Sequence, residues 1–169
     1  MGLPRTLVNI NAYADGASYL GVISEFEQPK LALATEDWRG GGAIGSIPLD
    51  KGIEKMEATL TLGGHEKALI RKFGTTSVEG VRLRLVAAYR ADDGTPAQAV
   101  EIYVGGRFTE IDMGKDKPGD ATEHKYTCAV AYYRRVVDGR TEVEIDVLGG
   151  VYMVDGVDRY AEIMEILMG

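Results

Sequence analysis

"EDWRGGGAIGSIPLDKGIEK", residues Glu36 to Lys55, admits two readings that lead to different folds. Gly40, Gly42 and Gly45 spell G-x-G-x-x-G, the spacing that lets a strand-to-helix turn seat a pyrophosphate. That use requires a helix to open at the turn, so that its first amides meet the anion. The residues after Gly45 are "SIPLDKG", and Pro48 and Gly52 both oppose a continuing helix. No βαβ pattern follows. The stretch therefore reads as a long loop, which is uncommon in a compact domain unless it is functional or disordered. Its composition is not that of a disordered segment, because Trp38, Ile44, Ile47, Leu49 and Ile53 are costly to leave in water. A glycine-rich segment with spaced apolar anchors suits docking on another chain. Burying such side chains yields roughly 1.5–3 kcal/mol each before ordering costs.

Outward from this loop the chain reads as β. "KMEATLTLGG" alternates: Met56, Ala58, Leu60 and Leu62 point one way, Glu57, Thr59 and Thr61 the other. "VRLRLVAAYR" sets Val81, Leu83 and Leu85 against Arg82 and Arg84. "SYLGVISEFEQPKL" reads as a strand ending near Pro29. "AVEIYVGGRFTEIDMG" is another, with Gly105-Gly106 marking a bulge. "TEHKYTCAVAYYRRVVDG" and "RTEVEIDVLGG" form a long hairpin. Asp15-Gly16, Asp93-Gly94 and Asp138-Gly139 are hairpin turn signals.

Two segments read as helices. "HEKALIRKFG" is short and stops at Gly74. Over 157–168, Val157, Tyr160, Ala161, Met164, Leu167 and Met168 form an amphipathic stripe, expected to pack on the domain's own sheet. Asp158, Glu162 and Glu165 lie off it. With no repeat or linker, residues 1–169 read as a single domain, mainly β, two packed antiparallel sheets in a sandwich or barrel flanked by helix.

The totals narrow the function. The net charge of −7 and pI near 4.9 argue against gripping nucleic acid, which needs a basic surface to displace counterions. No run of about 18 apolar residues suggests a membrane span, and the N-terminus lacks the apolar core of a secretory signal. The single cysteine, Cys128, excludes an intrachain disulfide and fits folding in a reducing cytoplasm. His65 and Glu66 lack the second histidine of a zinc helix. Asp112, Asp116 and Asp120 stand four apart, too loosely for a calcium loop. No serine sits in a G-x-S-x-G elbow, and Cys128 falls on the face of Tyr126 and Val130 as a buried thiol. No catalytic residues, metal site or cofactor are expected.

Six pieces then carry a resemblance: "LPRTLVNINAYADGASYLG", "QPKLALATEDWRGGG", "LDKGIEKMEATLTLGG", "EIDMGKDKPGD", "YYRRVVDG" before "EIDV", and "DGVDR" before the last helix. In this order, along essentially the whole chain, the sequence resembles the major tail tube proteins of contractile-tailed, myovirus-type phages and of R-type bacteriocins. Asp155 stands where Asn is common, and the "ILMG" ending departs from the family's Gly-Leu.

The resemblance implies a structural subunit, not an enzyme. It implies stacked homohexameric rings, with four strands per copy lining a closed barrel of 24. Strands about 4.8 Å apart and tilted about 40–45° give a backbone diameter of about 50 Å, enough for a DNA duplex to pass without specific binding. Segment 36–55 becomes the inter-subunit loop, with Trp38 and Arg39 as anchors, Gly40, Gly41 and Gly42 allowing close backbone approach, and Ile44, Ile47 and Leu49 as apolar contacts. Glu57, Thr59, Thr61 and Glu101 are the candidates for the lumen, where acidic residues would keep DNA from sticking. Asp158, Glu162 and Glu165 are the candidates for facing a sheath. The implied partners are further copies, a tail sheath protein, and baseplate and tail terminator proteins. The implied location is the virion, without a membrane anchor. An R-type bacteriocin or related injection system without DNA cargo is the alternative.

Overall fold

A computed structural model describes residues 2–169. The strands are β1 (Thr6–Ala14), β2 (Ala17–Ser18), β3 (Ile23–Glu27), β4 (Leu33–Trp38), β5 (Ile47–Ile53) and β6 (Met56–Gly63). After helix α1 (Lys67–Ile70) come β7 (Val81–Arg90), β8 (Gln98–Asp112), β9 (Glu123–Val137), β10 (Arg140–Asp146), β11 (Val151–Val154) and β12 (Val157–Asp158). Helix α2 (Ala161–Met168) follows them.

The architecture turns on β8 and β9, which pair antiparallel as a hairpin of two 15-residue strands. The outer pairing of each changes along its length. β9 pairs with β6 from Glu123 to Val130, then with β10 from Tyr132 to Val137. β8 pairs with β7 from Gln98 to Gly106, and its last residues run beyond β7. Register shifts at Gly105/Gly106 and Phe108/Glu110 mark the change, as the glycine pair foretells. One branch is therefore β3-β6-β9-β8, and the other is β12-β11-β10-β9-β8-β7-β1-β2.

The apolar faces of both branches meet in one core. Met56, Ala58, Leu60 and Leu62 of β6 join Tyr126 and Cys128 of β9, Val81, Leu83 and Leu85 of β7, and Val100, Ile102 and Val104 of β8. Strict alternation in β6 and β7 places these side chains inward and the intervening polar ones outward, as their period of two requires. The turns form as their residues dictate. Asp15-Gly16, Asp138-Gly139 and Asp155-Gly156 hold both residues at positive φ, the geometry of a type I′ hairpin turn.

Tyr126 is fully buried against Phe108, with ring centroids 5.4 Å apart, and its hydroxyl has no hydrogen-bond partner among the described residues. Removing an unpaired buried hydroxyl relieves a desolvation cost of about 1–3 kcal/mol. Tyr126→Phe is therefore expected to raise the melting temperature by several degrees, which scanning calorimetry measures directly.

Two expectations need correction. Segment 36–55 is not structureless. β4 and β5 pair as a separate two-stranded ribbon, with only residues 39–46 forming its tip. The Pro48 and Gly52 that rule out a helix are compatible with this edge ribbon. The C-terminal helix is shorter than 157–168, because Val157–Asp158 pairs with β11 as β12. Its stripe does not pack on the sheet: no residue of α2 is buried.

Candidate assembly surfaces

The β4–β5 ribbon forms an arm whose base packs on the core through Ile53, while the apolar residues toward its tip are uncovered among the described residues. Trp38 and Ile47, cross-strand partners, are each 59% exposed, and Ile44 at the tip is fully exposed. Leu49 is exposed as well. The six-residue register from Leu33 to Trp38 carries the tip about 17–20 Å from the arm's base. Lys51 and Glu36 form a cross-strand ion pair at 3.8 Å. Gly40, Gly41 and Gly42 lie in the tip with Arg39, and Gly42 adopts φ +81°, so the tip turns where only glycine is unstrained. Gly45 leads into a strand, not a helix, and the nucleotide reading of the glycines has no helix N-terminus to use.

The second surface is the outer face of the β3-β6-β9-β8 branch. Directly opposed residues form three rows across it: Glu25, Thr61, Lys125 and Asp112; Glu27, Thr59, Thr127 and Glu110; and Glu57, Ala129 and Arg107. Five carboxylates, of Glu25, Glu27, Glu57, Glu110 and Asp112, thus share this face with two cations, of Lys125 and Arg107. Glu57, Thr59 and Thr61 lie here together, as their alternation requires. The sequence reading missed Glu25, Glu27, Glu110 and Asp112, although "ISEFE" carries the same alternation.

This branch has two unpaired margins. Among the described residues β3 pairs with β6 alone, and β8 residues 107–112 pair with β9 alone. Strand edges of this kind are templates for pairing with another chain.

Glu101 stands elsewhere, on the β7–β8 part of the other branch. Its carboxylate accepts a 2.6 Å hydrogen bond from the Tyr103 hydroxyl and a 3.2 Å bond from Arg84. These bonds, Tyr103's first, hold its pKa below the usual carboxylate range. Arg84 also lies over the Tyr13 ring at 5.2 Å, and Arg134 over the Tyr103 ring at 4.3 Å. The alternating Arg and Tyr of "RLRL", "EIYV" and "YYRR" signal this cluster in the sequence.

At the C-terminus, Asp158 is occupied internally: its Oδ1 accepts from the backbone N–H of Tyr152 (3.1 Å) and of Tyr160 (3.0 Å). Glu162 and Glu165 are exposed on α2, as are Ile163, Ile166 and Leu167. Met164 is the half-buried contact that holds the helix against the turn at Gly150.

His124 is 3% exposed and packs edge-on against His65, with centroids 5.7 Å apart. Among the described residues no cluster of three or more His, Cys, Asp or Glu could hold a metal ion, and no helix is long and apolar enough to cross a membrane.

Cys128 is 1% exposed, and burial pushes its thiol from an ordinary value of 9.0 up to about 12. The native state therefore keeps a proton that the unfolded chain releases above about pH 9. The stability it lends is complete below that pH and is lost as pH rises toward 12, at up to about 1.4 kcal/mol per unit. Burial raises the Tyr126 and Tyr133 hydroxyls in the same direction. Urea midpoints are expected to fall from about pH 9 upward, and Cys128→Ala to flatten the first part of that fall.

With this geometry in view, similarity to known proteins defines the class. The fold matches a chain of the sheath/tube terminator of an extracellular contractile injection system, PVC, in its extended state. The TM-score is 0.58 at 13% identity, covering 80% of this chain and 96% of that one. A chain of the PVC sheath–tube complex matches with a TM-score of 0.57 at 13% identity, covering 80% of this chain and 91% of that one. At that identity the likeness is one of fold. Sequence carries it to a family: residues 4–167 match the pattern of phage tail tube protein FII, and the chain belongs to that family. It is 37% identical over 162 residues to the tail tube protein of Escherichia phage P2, covering 94% of each chain. It is 34% identical over 164 residues to the major tail tube protein of Serratia phage KSP20, covering 96% of this chain and 94% of that protein.

Proposed function

We propose that the chain is the structural subunit of a contractile tail's inner tube, a virion component that works by assembly and not by catalysis. The observation that carries this reading is the β3-β6-β9-β8 branch, four strands wide, with an acidic outer face and an unpaired edge on each side. Pairing β3 of one copy with β8 residues 107–112 of the next satisfies both edges and closes a barrel, six copies supplying 24 strands. The acidic rows then line the channel, and DNA passes a wall that repels its phosphates softly across about one Debye length. Glu57, Thr59 and Thr61 take lumen positions in this arrangement, while Glu101, bound to Arg84 and Tyr103, belongs to the branch outside it.

The arm reaches to neighbouring copies. The exposed edge of α2, with Glu162 and Glu165, faces the sheath, and terminator and baseplate proteins cap the ends of the stack. A particle of the bacteriocin type without DNA cargo uses the same geometry. The test is negative-stain microscopy and sedimentation of the purified chain at high concentration. Rings or tubes with an open channel are expected, and a strictly monomeric species at every concentration contradicts the proposal.

A further inference from the structure

Beside the base of the arm lies an open groove of about 230 Å³, lined chiefly by Ile53, Ile145, Val147, Val151, Tyr152 and Tyr160. It sits where β5 ends, where β10 turns into β11, and where the chain enters α2. Val147 is 59% exposed at its mouth, and Asp146 stands beside it. The Asp146 carboxylate accepts the Gly149 backbone N–H at 2.9 Å, which fixes it at the rim.

The same chain carries a side chain that fits such a groove. Trp38 is flat, apolar and exposed, and Arg39 follows it directly. A Trp-Arg pair is the usual content of an interface hot spot, the ring in a pocket and the cation at its margin. It cannot enter the groove of its own copy. The groove adjoins Gly52 and Ile53 at the base of the arm, and the paired strands carry Trp38 about 17–20 Å away from that base.

Resting on the tube reading, we propose that this groove receives Trp38 of a second copy, with Arg39 of that copy meeting Asp146. Donor and acceptor are different patches on the same chain. The contact is therefore head-to-tail, the kind that closes a ring or propagates along a stack.

Trp38 is the single tryptophan, so its emission reports its surroundings. On assembly of the wild-type chain the emission is expected to shift to the blue. Val147→Asp changes an exposed position and leaves the isolated chain folded. It is expected to abolish the shift and to raise the concentration needed for assembly by about ten-fold or more. A second variant pair, Arg39→Cys with Val147→Cys, is expected to give disulfide-linked ladders between copies in oxidised particles, which neither single variant gives.

Val147→Asp particles that assemble at the wild-type concentration with an unchanged shift overturn the docking, as does an assembled double-cysteine variant without a ladder. A blue shift that appears only when another protein is added overturns it in favour of a different occupant. Failure of the wild-type chain to assemble at all overturns the tube reading on which the docking rests.

Discussion

Replacing Ile44 and Ile47 together by aspartate is expected to leave a folded chain that stays monomeric where the wild-type protein forms rings or tubes. Both side chains are open to water in the single copy, Ile44 fully and Ile47 at 59%, so the folded chain loses little when they change. Sedimentation velocity and thermal melting separate the two effects. The melting temperature should stay within a few degrees, because surface substitutions of this kind fall within about ±0.5 kcal/mol. Assembly loses two apolar burials of about 1.5–3 kcal/mol each and must desolvate two carboxylates besides. Every copy in a ring bears the same loss, so the concentration required for assembly should rise by more than about a hundred-fold. Tubes formed by this variant at wild-type concentration would show that the arm is not an inter-copy element.

Gly106→Ala should cost more stability than other single methyl additions to the chain. At the bulge of β8 a Cβ on Gly106 lands on the Ala129 carbonyl oxygen and lies 2.9 Å from Cys128 Sγ. Both obstacles are fixed, one a backbone atom of the paired strand and the other a 1% exposed core atom. Overpacking a tight site costs about 1–3 kcal/mol and sometimes more, and here the branch point of the sheet must open to admit the methyl. A loss of at least about 3 kcal/mol lowers the melting temperature by roughly 10 °C for a chain of this length.

Two other glycines serve as internal comparisons. Gly105→Ala meets the Tyr132 Cβ at 3.2 Å and should cost clearly less. Gly41→Ala, at the arm tip, meets nothing within 4 Å and should leave the melting temperature unchanged. Equal melting temperatures for all three variants would show that the bulge is not the tight point described.

What the sequence made legible followed from local chemistry. The period-two pattern of "MEATLTL" fixes which side of β6 is core, and Asp15-Gly16 and Asp138-Gly139 fix two hairpin turns, whereas Asp93-Gly94 falls in the longer β7–β8 connection with only Gly94 at positive φ. Gly105-Gly106 announces the bulge because only glycine permits that approach of strand to strand. What stayed hidden was set by contacts between distant segments. Nothing local to β9 says that residues 123–130 and 132–137 pair with different strands, so the two-branched sheet was not readable.

In sequence the arm reads as a loop because Pro48, Gly52 and the glycine-rich tip break the alternation that signals a strand. The stripe of α2 signals burial, but among the described residues only Met164 of its helical part is half-buried, against the turn at Gly150. Amphipathic periodicity reports that a face is apolar and leaves open whether its partner is the same chain. Among the candidate residues, Glu57, Thr59 and Thr61 share one face because they share one strand. Glu101 parted from them because it lies on β8 two residues from Tyr103, where the pairing of β7 with β8 brings Arg84 to it.

The central claim is that the β3-β6-β9-β8 branch completes its hydrogen bonding only against further copies of itself. A cryo-electron microscopy reconstruction of the assembled chain, at a resolution that separates strands, tests it most directly. The account predicts an unbroken barrel in which β3 of each copy pairs with residues 107–112 of β8 in the next, with Glu25, Glu57 and Glu110 facing the channel. Copies whose β3 and β8 edges remain unpaired in the wall, or whose acidic rows face outward, would contradict it.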